Sequence, residues 1–223
     1  LLILLVPFIG FGQSSNDTII EFCDSITFND EVYFESFLLY NNQLGQDIDG
    51  EAAGDYSGNS VSLSSDGNIV AIGATGNDDN GNASGHVRIY SFNGNSWQQI
   101  GQDIDGEATG DNSGYSVSLS SDGNIVAIGA TENDDNGLYS GHVRIYSFNG
   151  NSWQQIGQDI DGEAAGDYSG YSVSLSSDGN TVAIGARAND GNGIHSGHVR
   201  IYNFNGNSWQ QIGQDIDGEA AGD

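Results

Sequence analysis

The string Gly-Gln-Asp-Ile-Asp-Gly-Glu begins at Gly45, Gly101 and Gly157 and recurs at Gly213, each copy 56 residues after the last. A fixed period of this kind dictates one small unit built several times, each burying its apolar face only by stacking on its neighbours. Between the copies that begin at Gly101 and Gly157, nine positions of 56 differ. Near-identity of that order points to tandem duplication of one shape.

The unit from Gly110 to Gly162 reads as four strands. Ser116-Val117-Ser118-Leu119-Ser120 alternates as a half-buried strand does. Ser121-Asp122-Gly123-Asn124 follows, and Asp-Gly predicts a tight hairpin because both residues tolerate positive φ. Ile125–Ala130 is apolar on both faces and therefore central. A loop from Thr131 to Ser140 leads to a third strand, His142–Phe148. Asn149-Gly150 marks a second hairpin, and Ser152–Ile160 supplies the fourth strand. Four antiparallel strands repeated in series form the blade of a β-propeller. No segment carries a helical period with caps, which argues against an α/β solenoid. Meanders without a Greek-key crossover argue against a sandwich array. The expected class is all-β, a partial propeller with three complete four-stranded blades within residues 40–223.

Ser169–Leu175 (SGYSVSL) followed by Val182–Ala186 (VAIGA) resembles an FG-GAP repeat, the blade unit of integrin-α-type propellers. The pair recurs at Ser57–Ala74 and Ser113–Ala130. With SGHVRIY and NSWQQIGQDIDGE it resembles an exported bacterial subfamily of that family. Ser57, Ser113 and Ser169 stand where the family name has Phe, and Thr75, Thr131 and Arg187 where it has Pro. The family's acidic calcium loop between the first two strands is replaced by Ser-Ser-Asp-Gly-Asn. One carboxylate on that turn cannot supply the six to eight oxygens that calcium takes.

Residues 1–13 read as a signal peptide cut short at its N-terminus. An apolar run precedes small and then polar residues, with neither an initiator Met nor a basic segment. The run is shorter than the roughly 18–20 residues that span a bilayer. Residues 14–39 are either a separate β segment or a degenerate half-blade leading into Tyr40–Asp49 as a fourth strand. The expectation is a fragment of a longer exported protein, secreted or at the cell surface, whose end blades promote self-association. Thirty-one acids against four arginines leave a net charge of −27. Such a surface repels nucleic acid and anionic membrane and favours cations or basic partners.

Strand order places the charge. The first-to-second and third-to-fourth hairpins lie at one end of a blade; the second-to-third loop and the inter-blade segment lie at the other. Asp103, Asp105, Glu107, Asp111, Glu132, Asp134 and Asp135 all fall at the second end, and only Asp122 at the first. Seven of the nine substitutions between the last two copies fall in the same loops, including Glu132/Ala188 and Asp135/Gly191. Loops on a rigid scaffold are where binding specificity varies.

Asp103, Asp105, Glu107 and Asp111 occupy relative positions 1, 3, 5 and 9, a spacing found among calcium ligands, although the glycine and final Glu of an EF-hand are missing. The same set recurs as Asp47, Asp49, Glu51, Asp55 and as Asp159, Asp161, Glu163, Asp167. These twelve are the candidate calcium ligands; the commoner alternative is a solvated acidic turn. His86, His142 and His198 open each third strand and are expected to make structural hydrogen bonds. Arg88, Arg144 and Arg200 are expected to pair with carboxylates, and Trp97, Trp153 and Trp209 to pack along blade edges.

A catalytic centre needs differently tuned groups at one place, and near-identical blades offer the same residues repeatedly. The reading is a non-catalytic binding or adhesion module presenting its acidic loop face to a protein or polysaccharide, with calcium as a candidate aid. The alternative is a hydrolase or lyase whose catalytic residues lie in further blades.

Overall fold

The computed structural model describes residues 20–28, 31–39 and 43–222 and separates into two units, Leu1–Leu44 and Gly45–Asp223. The expected signal peptide lies outside the described residues. In the first unit, β1 (Ile20–Phe28) and β2 (Glu31–Leu39) pair antiparallel as a two-stranded sheet of their own. The described residues include no helix long and apolar enough to cross a membrane.

The second unit is three copies of one antiparallel sheet. The first contains β3 (Ser57–Leu63), β4 (Ile69–Ala74), β5 (His86–Phe92), β6 (Trp97–Gln99) and β7 (Ile104–Asp105). The second contains β8 (Ser113–Leu119), β9 (Ile125–Ala130), β10 (His142–Phe148), β11 (Trp153–Gln155) and β12 (Ile160–Asp161). The third contains β13 (Ser169–Leu175), β14 (Thr181–Ala186), β15 (His198–Phe204), β16 (Trp209–Gln211) and β17 (Ile216–Asp217). Each sheet runs in sequence order, and both final segments pair with the third strand. This is the four-stranded propeller blade that the alternation of residues implies.

Three local features differ from the sequence reading. The fourth strand is broken, because Gly157 takes a left-handed φ of 75° between β11 and β12 and lifts Gln158 and Asp159 out of the ladder. The first hairpin is a four-residue loop rather than a two-residue turn. Ser120 N donates to Ile125 O, and within the loop only Gly123 has positive φ. Asp122 stays right-handed and instead accepts bonds from the Ser120 hydroxyl and the Asn124 amide. Nor does residue 43 onward form a strand before β3, since a fourth strand pairs only with the third strand of its own blade.

The blades pack face to face. Ala71, Val87, Ile89 and Ile104 of the first meet Val117, Leu119, Val126, Ile128 and Trp153 of the second. A matching layer joins the second blade to the third. Trp153 and Trp209 are buried and donate Nε1 to the carbonyls of Ile100 and Ile156 in the preceding blade, 2.9 Å in each case. The edge-packing expectation therefore holds for both.

The glycines of the repeat signature set how close the blades come. A bulge at Gly114 between Ser113 and Ser116 brings its carbonyl against Gly73 of the preceding blade, where the Ser60 hydroxyl donates to it at 2.7 Å. Gly170 meets Gly129 in the same way. Parallel bridges Gly85↔Ser113 and Gly141↔Ser169 add a backbone link between consecutive blades.

Candidate functional site

At the end of each blade where the second-to-third loop meets the inter-blade segment, four side chains converge. In the second blade they are Glu107, Asp135, His142 and Asp159, with one ligand atom from each lying within 4.8 Å of every other. The first blade brings together Glu51, Asp79, His86 and Asp103, and the third Glu163, His198 and Asp215. Each member comes from a different stretch of chain. Glu107 follows β7 of the preceding blade, Asp135 sits in the β9–β10 loop, His142 opens β10, and Asp159 occupies the break between β11 and β12.

The break in the fourth strand is what delivers Asp159. A continuous ladder would direct its side chain by strand alternation alone, whereas the left-handed Gly157 frees it to turn inward. The Asp135 loop owes its form to Asn133, whose side-chain oxygen accepts the Asp135 amide at 3.0 Å. Asn136 then donates to the carbonyls of Gly162 and Glu163, tying this loop to the segment that enters the next blade.

In the first and third blades the Glu and one Asp of a cluster each have one oxygen anchored and the other turned to the histidine. In the second the Asp facing Nδ1 of His142 is Asp135, at 3.9 Å, and the Gln anchors Asp159. Arg144 holds Oε1 of Glu107 at 3.5 Å while its Nη2 donates to the Asp105 carbonyl at 2.7 Å. Oε2 of Glu107 then lies 3.8 Å from Nδ1 of His142. Gln155 donates to Oδ1 of Asp159, and Gln99 and Gln211 do the same for Asp103 and Asp215. Oδ2 of Asp103 and of Asp215 faces Nδ1 of His86 and His198 at 4.0 and 3.9 Å. The expected Arg–carboxylate pairing is thus realised with the segment that enters each blade, with Arg88–Glu51 and Arg200–Glu163 both at 3.6 Å.

The histidines depart from expectation. His86 and His142 are fully buried and His198 nearly so, yet neither ring nitrogen of any of them has a hydrogen-bond partner. An unsatisfied buried polar group costs about 1–3 kcal/mol, here repeated in every blade. Burial, with the Arg144 guanidinium adding to it, lowers the His142 pKa to about 4, so the ring is neutral at neutral pH. Burial also raises the carboxyls of Glu107, Asp105 and Asp161.

The acidic set with spacing 1, 3, 5, 9 does not close on itself as one loop. Asp103 belongs to the cluster of the first blade and Glu107 to that of the second, because the chain crosses between blades in the intervening residues. Asp159 and Glu163 divide in the same way between the second and third. Asp105 and Asp161 stand across the ladder from His86 and His142. Asp55, Asp111 and Asp167 are buried and accept the backbone amides of Ala52, Ala108 and Ala164. Asp49 contributes its carbonyl to Arg88, and Asp47 joins no cluster. Sequence reasoning missed Asp79, Asp135, Asp215 and the three histidines as members of a common site. The signal available was recurrence, since Asp79 and Asp135 hold equivalent positions and Gly191 takes the third.

An open groove of about 440 Å³ runs between the second and third blades, lined by Asp159, Asp161, Glu163, Arg200 and Tyr202 among others. One member of each neighbouring cluster, Asp159 of the second blade and Glu163 of the third, borders it.

Antiparallel four-stranded sheets stacked in series, each carrying the same charged cluster at the same end, define a β-propeller-type repeat protein. The FG-GAP repeat model matches residues 48–90, 104–146 and 160–202, together more than half of the chain, and the chain belongs to the FG-GAP repeat family. No curated protein matches the sequence. Among solved structures, it is similar to a provisionally named 6-phosphogluconolactonase of Bacteroides uniformis, with a TM-score of 0.52 and 15% identity over 88% of this chain and 48% of that one. Sqt1 of Saccharomyces cerevisiae follows with a TM-score of 0.47 and 15% identity over 75% of this chain and 38% of that one. At such identities the likeness is one of fold alone, and the chain spans about half the length of the first and less of the second.

Proposed function

We propose that this chain is a non-catalytic binding module of a secreted or surface-exposed protein, and that its acidic blade end is the surface that meets the ligand. One observation carries the reading: the same Glu–Arg–His–Asp arrangement recurs at the same end of three blades, amid the loops where the copies differ most. Equal weak contacts presented in series suit multivalent capture. A strongly negative face favours basic proteins or cationic polysaccharides. Repetition also supports binding over a hydrolase or lyase activity, since catalysis asks for one uniquely tuned set of groups.

The test is solid-phase binding to chitosan, alginate and a basic protein such as histone. A variant neutralised at the acidic end (Glu107→Gln, Asp135→Asn, Asp159→Asn) is compared with one neutralised at the other end (Asp66→Asn, Asp122→Asn, Asp178→Asn). Capture of the cationic probes that falls only in the first variant supports the reading. Equal capture by both, or turnover of a polysaccharide or lactone, removes it.

A further inference from the structure

The clustered carboxylates alone would be an ordinary acidic surface. What sets them apart is the imidazole at their centre, buried in every copy and without a hydrogen-bond partner on either nitrogen. In each blade Nδ1 faces two carboxylate oxygens at 3.7 to 4.0 Å. That is too long for a hydrogen bond. It is close to the roughly 3.4 Å that separates two ligands each about 2.1 Å from a tetrahedral metal.

From this geometry we infer that the clusters of the first and second blades each bind a divalent first-row transition metal of the zinc type through one imidazole and three carboxylates. The third is the same site with one position open, because Gly191 stands where Asp79 and Asp135 stand in the others. The inference rests on the acidic end being the binding face, and it names the cation held there.

Three further features fit a metal. In the first blade Arg88 and Gln99 already orient Glu51 and Asp103 through the oxygens that point away from the ring, as outer-shell partners orient metal ligands. Three carboxylates against one guanidinium leave an excess of two negative charges, which one dication cancels. The donor set decides which dication. Calcium and magnesium take oxygen ligands, whereas imidazole suits zinc and its neighbours. The site lies at the opposite end of the blade from the Ser-Ser-Asp-Gly-Asn hairpins, whose aspartates are committed to serine and asparagine donors.

The experiment titrates the full chain, stripped with chelator, with zinc by calorimetry and with cobalt by visible absorption. The expected result is two strong sites and one at least tenfold weaker, with tetrahedral cobalt bands. Calcium or magnesium at the same concentration should give neither. His142→Gln should remove one strong site. Gly191→Asp should tighten the weak site towards the strong ones, a gain that misfolding cannot imitate. A Cβ at Gly191 would lie 2.8 Å from Asn189 Oδ1 and 3.3 Å from Asp217 Oδ1, both ends of side chains that can shift. Asp79 and Asp135 make the same amide contact to Asn77 and Asn133 that Gly191 makes to Asn189. Equal uptake of zinc, calcium and magnesium, or a weak site unmoved by Gly191→Asp, overturns the assignment. Zinc uptake without capture of any cationic probe would leave the metal standing and remove the binding-face reading. Capture without zinc uptake would do the reverse.

Discussion

Replacing Gly129 with alanine tests whether glycine at the blade contact holds the array together. A Cβ there would lie 2.1 Å from the Gly170 carbonyl oxygen, in rigid backbone of the next blade. A carbon–oxygen contact needs about 3.3 Å, so the second and third blades must part locally by roughly 1 Å. A gap of that size forfeits about a quarter to a half of each van der Waals contact across it. The layer at risk includes Val143, Ile145, Ile160, Val182, Ile184 and Trp209. Each side chain is worth about 1.5–3 kcal/mol when buried, so losing a quarter of six comes to about 3 kcal/mol. The Ser116 hydroxyl bond to Gly170, 2.7 Å long, adds about 1 kcal/mol. Gly185 is the internal control. It holds the same strand position, but its Cβ would meet only the rotatable Ser172 hydroxyl, at 2.5 Å, with nothing else nearer than 3.8 Å. Urea unfolding of both variants should therefore show a loss of about 3–4 kcal/mol for Gly129→Ala and below about 1 kcal/mol for Gly185→Ala. Equal losses would mean that the signature glycine serves its own strand and not the contact between blades.

The remaining predictions concern acid, the tryptophan and the exposed blade face. Hydrogen bonds from Ser64 and Asn68 hold Asp66 at a pKa of about 2, and those from Ser176 and Asn180 do the same for Asp178. Their pKa lies below the unfolded value, so this stabilisation is complete above about pH 4 and lost as pH falls through about 2. Melting temperature against pH should accordingly flatten in that window in the Asp66→Asn, Asp178→Asn double variant, and an unchanged profile would contradict it. Trp153→Phe removes the indole bond to the part-buried Ile100 carbonyl, at a cost of about 1 kcal/mol by urea unfolding. A neutral result would mean that the ring acts only as apolar filling. In the first blade Val61 and Leu63 are 64% and 59% exposed, whereas their counterparts Val117 and Leu119 are 9% and 7%. A protein comprising residues 45–223 should associate end to end in light scattering at tens of micromolar and should do so less after Val61→Ser with Leu63→Ser. A stable monomer would refute that.

The repeat, the class of fold and the end of the blade where the charge collects can all be read from the order of residues. All three follow from short-range rules. Alternation in Ser116–Ser120 marks a strand, glycine pairs mark turns, and counting antiparallel strands assigns each loop to an end. The pairing of Arg144 with a carboxylate was legible too, because four cations among so many acids have few other partners. The composition of each cluster was not. Asp103 and Glu107 are four residues apart and read as one loop, yet they serve different blades. His142 and Glu107 are far apart in sequence and meet. Only the stacking of one blade on the next decides which residues share a cluster, because neighbours in space there come from four separate stretches of chain. The break at Gly157 that turns Asp159 inward was hidden for the same reason. Gln-Gln-Ile-Gly-Gln reads as continuous strand until the third strand beside it reveals which residues the ladder leaves out. The isolation of the histidine nitrogens is likewise a property of three-dimensional packing, since whether a buried ring finds a donor or acceptor depends on atoms that no sequence spacing brings near.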